Sequence, residues 1–241
     1  TLTEVLDLAA IGTVGDIMPL LDENRTITKY GLKVINMCPR PGLKKLIEGT
    51  SLKEGSISSG NISFVIVPHL NASGRIEDAP QAVELLLGRC PDEEMDMIVS
   101  DILQKNIQRR KLQNELFEEL KKAVDKDAPD DFMILESDGN HEGIAGIVAG
   151  KIKDAFYRPT VILSPTGDGD GLLKGTGRSI EGVDLYKVLK TQEHLFVKFG
   201  GHAGACGFSM KKEDLPLLKE GVSQQMQKIK AENSRVFERK F

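Results

Sequence analysis

From Pro91 to about Val124, apolar residues recur every three or four positions: Met95, Ile98, Val99, Ile102, Leu112, Leu116, Phe117, Leu120 and Val124. A stripe that keeps this period over about 33 residues predicts one amphipathic helix roughly 50 Å long. Pro91 stands at its start, and Asp92, Glu93 and Glu94 fill its first turn, where the positive end of the helix dipole favours carboxylates. In a chain of 241 residues, a helix of this length predicts two domains with the helix between them. Its cationic run Arg109-Arg110-Lys111 reads as a solvated face.

The sequences on either side follow different rules. Before the helix the pattern is helical: residues 3–15 with Thr3 as N-cap, then 24–35, 43–47 and 79–87. Asn61 to Val67 is a short β-branched run, strand or buried helix, and Pro68 to Arg75 reads as a polar loop. After an acidic linker at Asp125 to Asp131, strands are expected at 132–135, 160–163, 172–180 and 205–210. Helices are expected at 143–156, 184–189 and 214–229, and the alternation predicts an α/β domain. The expected organisation is therefore a mostly helical part at residues 1–90, a connecting helix at 91–125, and a second α/β domain with a mixed sheet at 126–241.

Composition narrows the function classes. Trp is absent and aromatics are 5 %, which disfavours extensive base stacking. The net charge of −4 gives no long-range steering toward DNA, but the acidity is central. Residues 91–131 hold 7 Lys/Arg against 12 Asp/Glu, whereas residues 132–241 hold 16 against 14. A local phosphate site is thus allowed in the C-terminal half. Cys38, Cys90 and Cys206 form no CxxC pair, which fits a reducing, cytoplasmic setting without a disulfide framework. No apolar run approaches a membrane span, so no membrane partner is expected. The chain opens at Thr1 within a helical pattern, which suggests a fragment.

Two glycine-rich segments carry the chemistry. Lys198 to Phe208 crowds Gly200, Gly201, Gly204 and Gly207 around His202. Such a run suits either a tight turn whose N–H groups form an anion nest, or a packing corner between strands. Lys174-Gly175-Thr176-Gly177-Arg178-Ser179 again joins glycines to cationic and hydroxyl groups, the partners of phosphate oxygens. Upstream, Asp16 is the carboxylate of an apolar stretch and reads as a helix cap or a metal ligand, with Asp7 as the other candidate. Arg75 suits bidentate phosphate contact or simple solvation. His141 precedes the helix at 143, where an anion could meet the helix N-terminus.

Taken in order, these segments resemble a known family. Asp7-Leu8-Ala9-Ala10-Ile11-Gly12-Thr13-Val14-Gly15-Asp16-Ile17-Met18-Pro19-Leu20 is similar to the motif that ends the catalytic domain of RecJ-type single-strand-specific exonucleases, of the DHH phosphoesterase superfamily. Pro68-His69-Leu70-Asn71-Ala72-Ser73-Gly74-Arg75 resembles the next motif of that family. Gly143 to Gly150, Gly177-Arg178-Ser179 and Gly200-Gly201-His202 resemble its DHH-associated C-terminal domain.

The resemblance implies an Mn²⁺- or Mg²⁺-dependent 5′-to-3′ exonuclease acting on single-stranded DNA in repair and recombination, with two metals activating water. It implies that Asp16 is a metal ligand and that Arg75 lies near the scissile phosphate. It also implies that Arg178, Ser179, Gly201 and His202 contact nucleic acid, and Lys174 and Gly200 of the same glycine-rich segments are candidates beside them. Two positions depart from the pattern: His69 replaces an arginine, and Glu142 replaces a proline. The resemblance places the Asp-x-Asp and Asp-His-His motifs that carry most of the family's metal ligands upstream of Thr1, so the residues given are expected not to cut by themselves. The alternatives are a related phosphodiesterase acting on short oligonucleotides or cyclic dinucleotides, and a non-catalytic nucleic-acid-binding module.

Overall fold

The computed structural model describes residues 2–37, 40–76, 80–139, 142–167 and 171–239. Cys38 and His141 lie outside the described residues. The chain divides into two compact units, Thr1–Arg110 and Lys111–Phe241.

The first unit is helical. A 3₁₀ turn at Leu2–Val5 leads into α1 (Leu6–Gly15), followed by α2 (Asp22–Met37) and α3 (Pro41–Gly49). The cap of α1 is Val5, without a side-chain bond, so Thr3 belongs to the 3₁₀ turn and is not the N-cap expected. Ser58 opens the next element with a capping box: its Oγ accepts from the Asn61 N–H, and Asn61 Oδ1 accepts from the Ser58 N–H. One α turn (Ser59–Asn61) passes into a π-helical stretch (Ile62–Ile66) and then α4 (Val67–Ile76).

The loop expected at 68–75 is therefore a helix. Pro68 stands in the first turn after the π stretch, where a missing N–H is tolerated, and Ile62, Ile66 and Leu70 set one buried stripe through both segments. α5 (Pro80–Leu87) and the first part of α6 (Asp92–Lys122) complete the unit around Ile35, Leu43, Leu46, Ile47, Leu85 and Ile102.

The second unit is built on a five-stranded mixed sheet of order β1-β2-β3-β5-β4. β1 (Met133–Glu136) and β2 (Thr160–Pro165) are parallel, joined through α7 (Glu142–Phe156). β3 (Leu172–Arg178), β4 (Phe196–His202) and β5 (Ala205–Lys211) pair antiparallel. One sheet face is sealed by α8 (Leu185–Lys190) and α9 (Leu215–Glu232) over Val161, Leu163, Phe208 and Met210. On the other face α7 covers Met133 and Ile162 with Ile144, Ala145, Val148 and Ile152. The fold is thus α/β, with a helical first unit, a long helix and a mixed sheet. No described helix is long and apolar enough to cross a membrane.

Candidate nucleic-acid interface

Of the two forms open to the glycine-rich stretch, the structure takes the corner between strands, with β4 as an added strand. The glycine-rich stretch is not a nest of free N–H groups but two seven-residue strands, Phe196–His202 and Ala205–Lys211, closed by Ala203 and Gly204. Phe196 stacks on Phe208 at 4.4 Å between ring centroids, and Tyr186 on Phe199 at 5.1 Å, so aromatic packing beneath the sheet outweighs the low strand propensity of glycine.

The register sorts the residues by face. Arg178 pairs with Ala205, which pairs with His202; Thr176 with Gly207 and then Gly200; Lys174 with Ser209 and then Lys198. Alternation along strands puts these nine positions on one side of the sheet. Small residues run down the middle strand, and Arg178, His202, Lys174 and Lys198 stand at the corners. An open groove of about 540 Å³ lies here, lined among others by Glu142, Lys174, Lys198, Gly200, Gly207 and Ser209.

The other glycines serve the opposite face. A Cβ at Gly175 would lie 2.2 Å from the Phe208 ring, and one at Gly177 would lie 2.9 Å from Leu185. Gly201 has φ +146, and its Cβ would meet the Ala205 carbonyl oxygen at 2.3 Å, so hairpin closure itself requires glycine there. Gly200 differs: a Cβ there meets nothing within 4 Å.

The polar groups of this face have defined states. His202 Nδ1 accepts the Gly204 N–H at 3.2 Å, which leaves the hydrogen of the neutral ring on the exposed Nε2, a donor. Arg178 Nη1 donates to the Gly177 carbonyl at 2.8 Å. Lys174 is ion-paired with Glu142, whereas Lys198 has no ion-pair partner among the described residues. Ser179 is committed to the fold: its Oγ donates to the Val183 carbonyl at 2.7 Å, and its N–H to the Gly204 carbonyl at 3.0 Å. Burial pushes the Cys206 thiol up to about 11, so it is not a nucleophile at neutral pH.

In the first unit, the Asp16 N–H closes the end of α1 on the Gly12 carbonyl at 2.9 Å, and its side chain is exposed. Gly15 brings α1 against α4, since a Cβ there would lie 2.9 Å from Val67. Asp16 and Asn71 consequently line one cavity of about 270 Å³, and Arg75 stands one turn beyond Asn71 on the same helix face. Asp7 is instead buried, accepting from Arg40 Nε at 2.8 Å and from the Leu8 N–H at 2.9 Å.

His69 Nδ1 lies 2.7 Å from the Val65 carbonyl. Burial holds the ring below its usual pKa, helped by the Arg110 and Arg109 charges, so the ring is neutral at physiological pH and Nδ1 donates. The solvated-face reading of residues 109–111 holds for the exposed Arg110 and Lys111 but not for Arg109. Arg109 is 9 % exposed, its Nε and Nη2 both donate to Asn106 Oδ1 at 3.1 and 2.8 Å, and burial lowers its pKa with a further push from Arg75. The signal available was Asn106 three residues earlier, a polar partner at helical spacing.

Mn²⁺ and Mg²⁺ take several oxygen ligands. Among the described residues no group of three or more His, Cys, Asp or Glu side chains converges, and Asp16 is the single carboxylate lining its cavity. These residues alone do not fit a two-metal site.

Residues 130–228 match the DHHA1 domain family. Over 222 residues the chain is 37 % identical to the single-stranded-DNA-specific exonuclease RecJ of Bacillus subtilis, covering 92 % of this chain and 28 % of that protein. It superposes on a crystal structure of RecJ from Thermus thermophilus in complex with Mn²⁺ with a TM-score of 0.84 at 30 % identity, over 94 % of this chain and 33 % of that one. The Mg²⁺ complex of the same protein gives 0.83 at 30 % identity, over 94 % and 35 %. The chain spans 28 % to 39 % of the length of the curated relatives it matches.

Proposed function

The chain is a homologue of the RecJ single-stranded-DNA-specific exonucleases and matches the C-terminal part of their core, and on that footing we propose that its β3-β5-β4 face grips single-stranded DNA by the phosphates. The observation that carries this is the shared face: Arg178, His202, Lys174 and Lys198 surround a floor without side chains at Gly200 and Gly207. A strand lying on that floor brings phosphate oxygens within reach of the Arg178 guanidinium and of the Nε2–H of His202. Neither contact reads a base, so binding is independent of sequence. Residues 126–241 then form the nucleic-acid-binding domain, 91–125 the connecting helix, and 1–90 the end of a DHH phosphoesterase domain.

In the whole protein we assign a 5′-to-3′ exonuclease of DNA repair and recombination, working in the reducing cytoplasm. There Asp16 would be one ligand of a Mn²⁺ or Mg²⁺ site, whose metals would supply activation of water, and Arg75 would stand by the phosphate. One aspartate holds no two-metal site, so hydrolysis is assigned to the whole protein and not to these residues alone.

The face is tested with a fluorescein-labelled oligothymidylate and the full 241-residue chain. Gly200→Val adds a side chain to open space in a strand, so the protein should melt like the parent yet bind weakly. Gly201→Ala is the contrast, losing stability through positive φ and the clash with Ala205. Parent-like binding by Gly200→Val would return the glycines to a packing role.

A further inference from the structure

We propose that Gly146 is a positioning residue, a slot in α7 that holds the Arg178 guanidinium at the sheet face; the inference rests on the phosphate-gripping reading of Arg178. A Cβ built on Gly146 would lie 2.7 Å from Arg178 Nη2, 3.3 Å from its Cζ and 3.3 Å from Thr176 Cγ2. The guanidinium therefore occupies the space that any other side chain at 146 would fill. Its second nitrogen is fixed from the strand side, where Nη1 donates to the Gly177 carbonyl at 2.8 Å. Helix and strand together confine the planar group of a half-buried arginine, so little rotamer freedom remains to be lost when a phosphate arrives.

Glycine inside a helix is unfavourable relative to alanine. α7 nevertheless carries it at 146, in the interior of Glu142–Phe156. Gly150, one turn further along the same helix, has no such neighbour, since a Cβ there meets nothing within 4 Å. The two glycines therefore make a matched pair. Alanine should strengthen the helix at both positions, because the atom displaced at 146 is the far end of a flexible side chain. Only alanine at 146 should move Arg178.

The experiment measures melting temperature and oligothymidylate binding by anisotropy for the full chain, Gly146→Ala, Gly150→Ala, Arg178→Ala and the double variant Gly146→Ala/Arg178→Ala. Gly146→Ala should melt no lower than the parent while binding about 3- to 10-fold more weakly, part of the worth of a charge-assisted contact. Gly150→Ala should melt no lower and bind like the parent. In the Arg178→Ala background, Gly146→Ala should change binding no further, because the group it displaces is gone.

Parent-like binding by Gly146→Ala overturns the inference, as does an equal loss with and without Arg178. So does a marked fall in melting temperature, which would make Gly146 a packing residue. If Arg178→Ala itself binds like the parent, the phosphate-gripping reading falls and this one with it, a result distinct from failure of Gly146 alone.

Discussion

Asp7 and Asp16 lie in the same motif and have opposite surroundings. Asp7 is buried against Arg40, while Asp16 is exposed at the C-terminal end of α1, where the helix dipole disfavours a carboxylate. Asp7→Ala should destabilise the first unit by about 2–4 kcal/mol, since it leaves the Arg40 charge without its carboxylate. Asp16→Ala should leave the melting temperature unchanged or slightly raised, and in the whole protein should abolish nuclease turnover. Thermal melts and a mononucleotide-release assay separate the two; turnover retained by Asp16→Ala would remove it from the metal site. The sequence named both aspartates but could not divide their roles. What divides them is Arg40, 33 positions from Asp7, and no local pattern announces that pair. Gly201 was equally ambiguous, because a glycine demanded by hairpin closure reads the same as one demanded by a ligand.

Elements were legible where one period ran long. The helix expected at 91–124 is α6, Asp92–Lys122, and the alternation after it yields β1, β2, β3, β5 and their helices. β4 was missed because Gly200 and Gly201 hide a strand whose partners are aromatic rings on other elements. α4 was missed because Pro68 and Asn71 look like turn residues. The helix places His69 half-buried, and burial depresses its pKa below the usual 6.5, so the unfolded chain takes up the proton first. The stability His69 allows is therefore intact above about pH 6.5 and is lost as pH falls from there toward the lowered value. Urea unfolding between about pH 7.5 and 5 should show this acid-side loss, and His69→Gln should flatten it. An equal slope in the variant would assign the loss to other groups.

At the scale of the whole molecule, a net charge of −4 gives no reason to expect affinity for DNA. The proposed function depends on a few cations held on one sheet face, not on the field of the chain. Arg178, Lys174 and Lys198 offer about two or three phosphate contacts, and the Nε2–H of His202 adds a further donor. The most direct measurement is the salt dependence of oligothymidylate binding near pH 8 for the parent chain and Arg178→Ala. The logarithm of the parent's affinity should fall by about 1.4–2 units per decade of salt, and Arg178→Ala should bind more weakly with that slope reduced by about 0.7. Binding that ignores salt, or a slope untouched by loss of Arg178, would contradict a phosphate grip on this face.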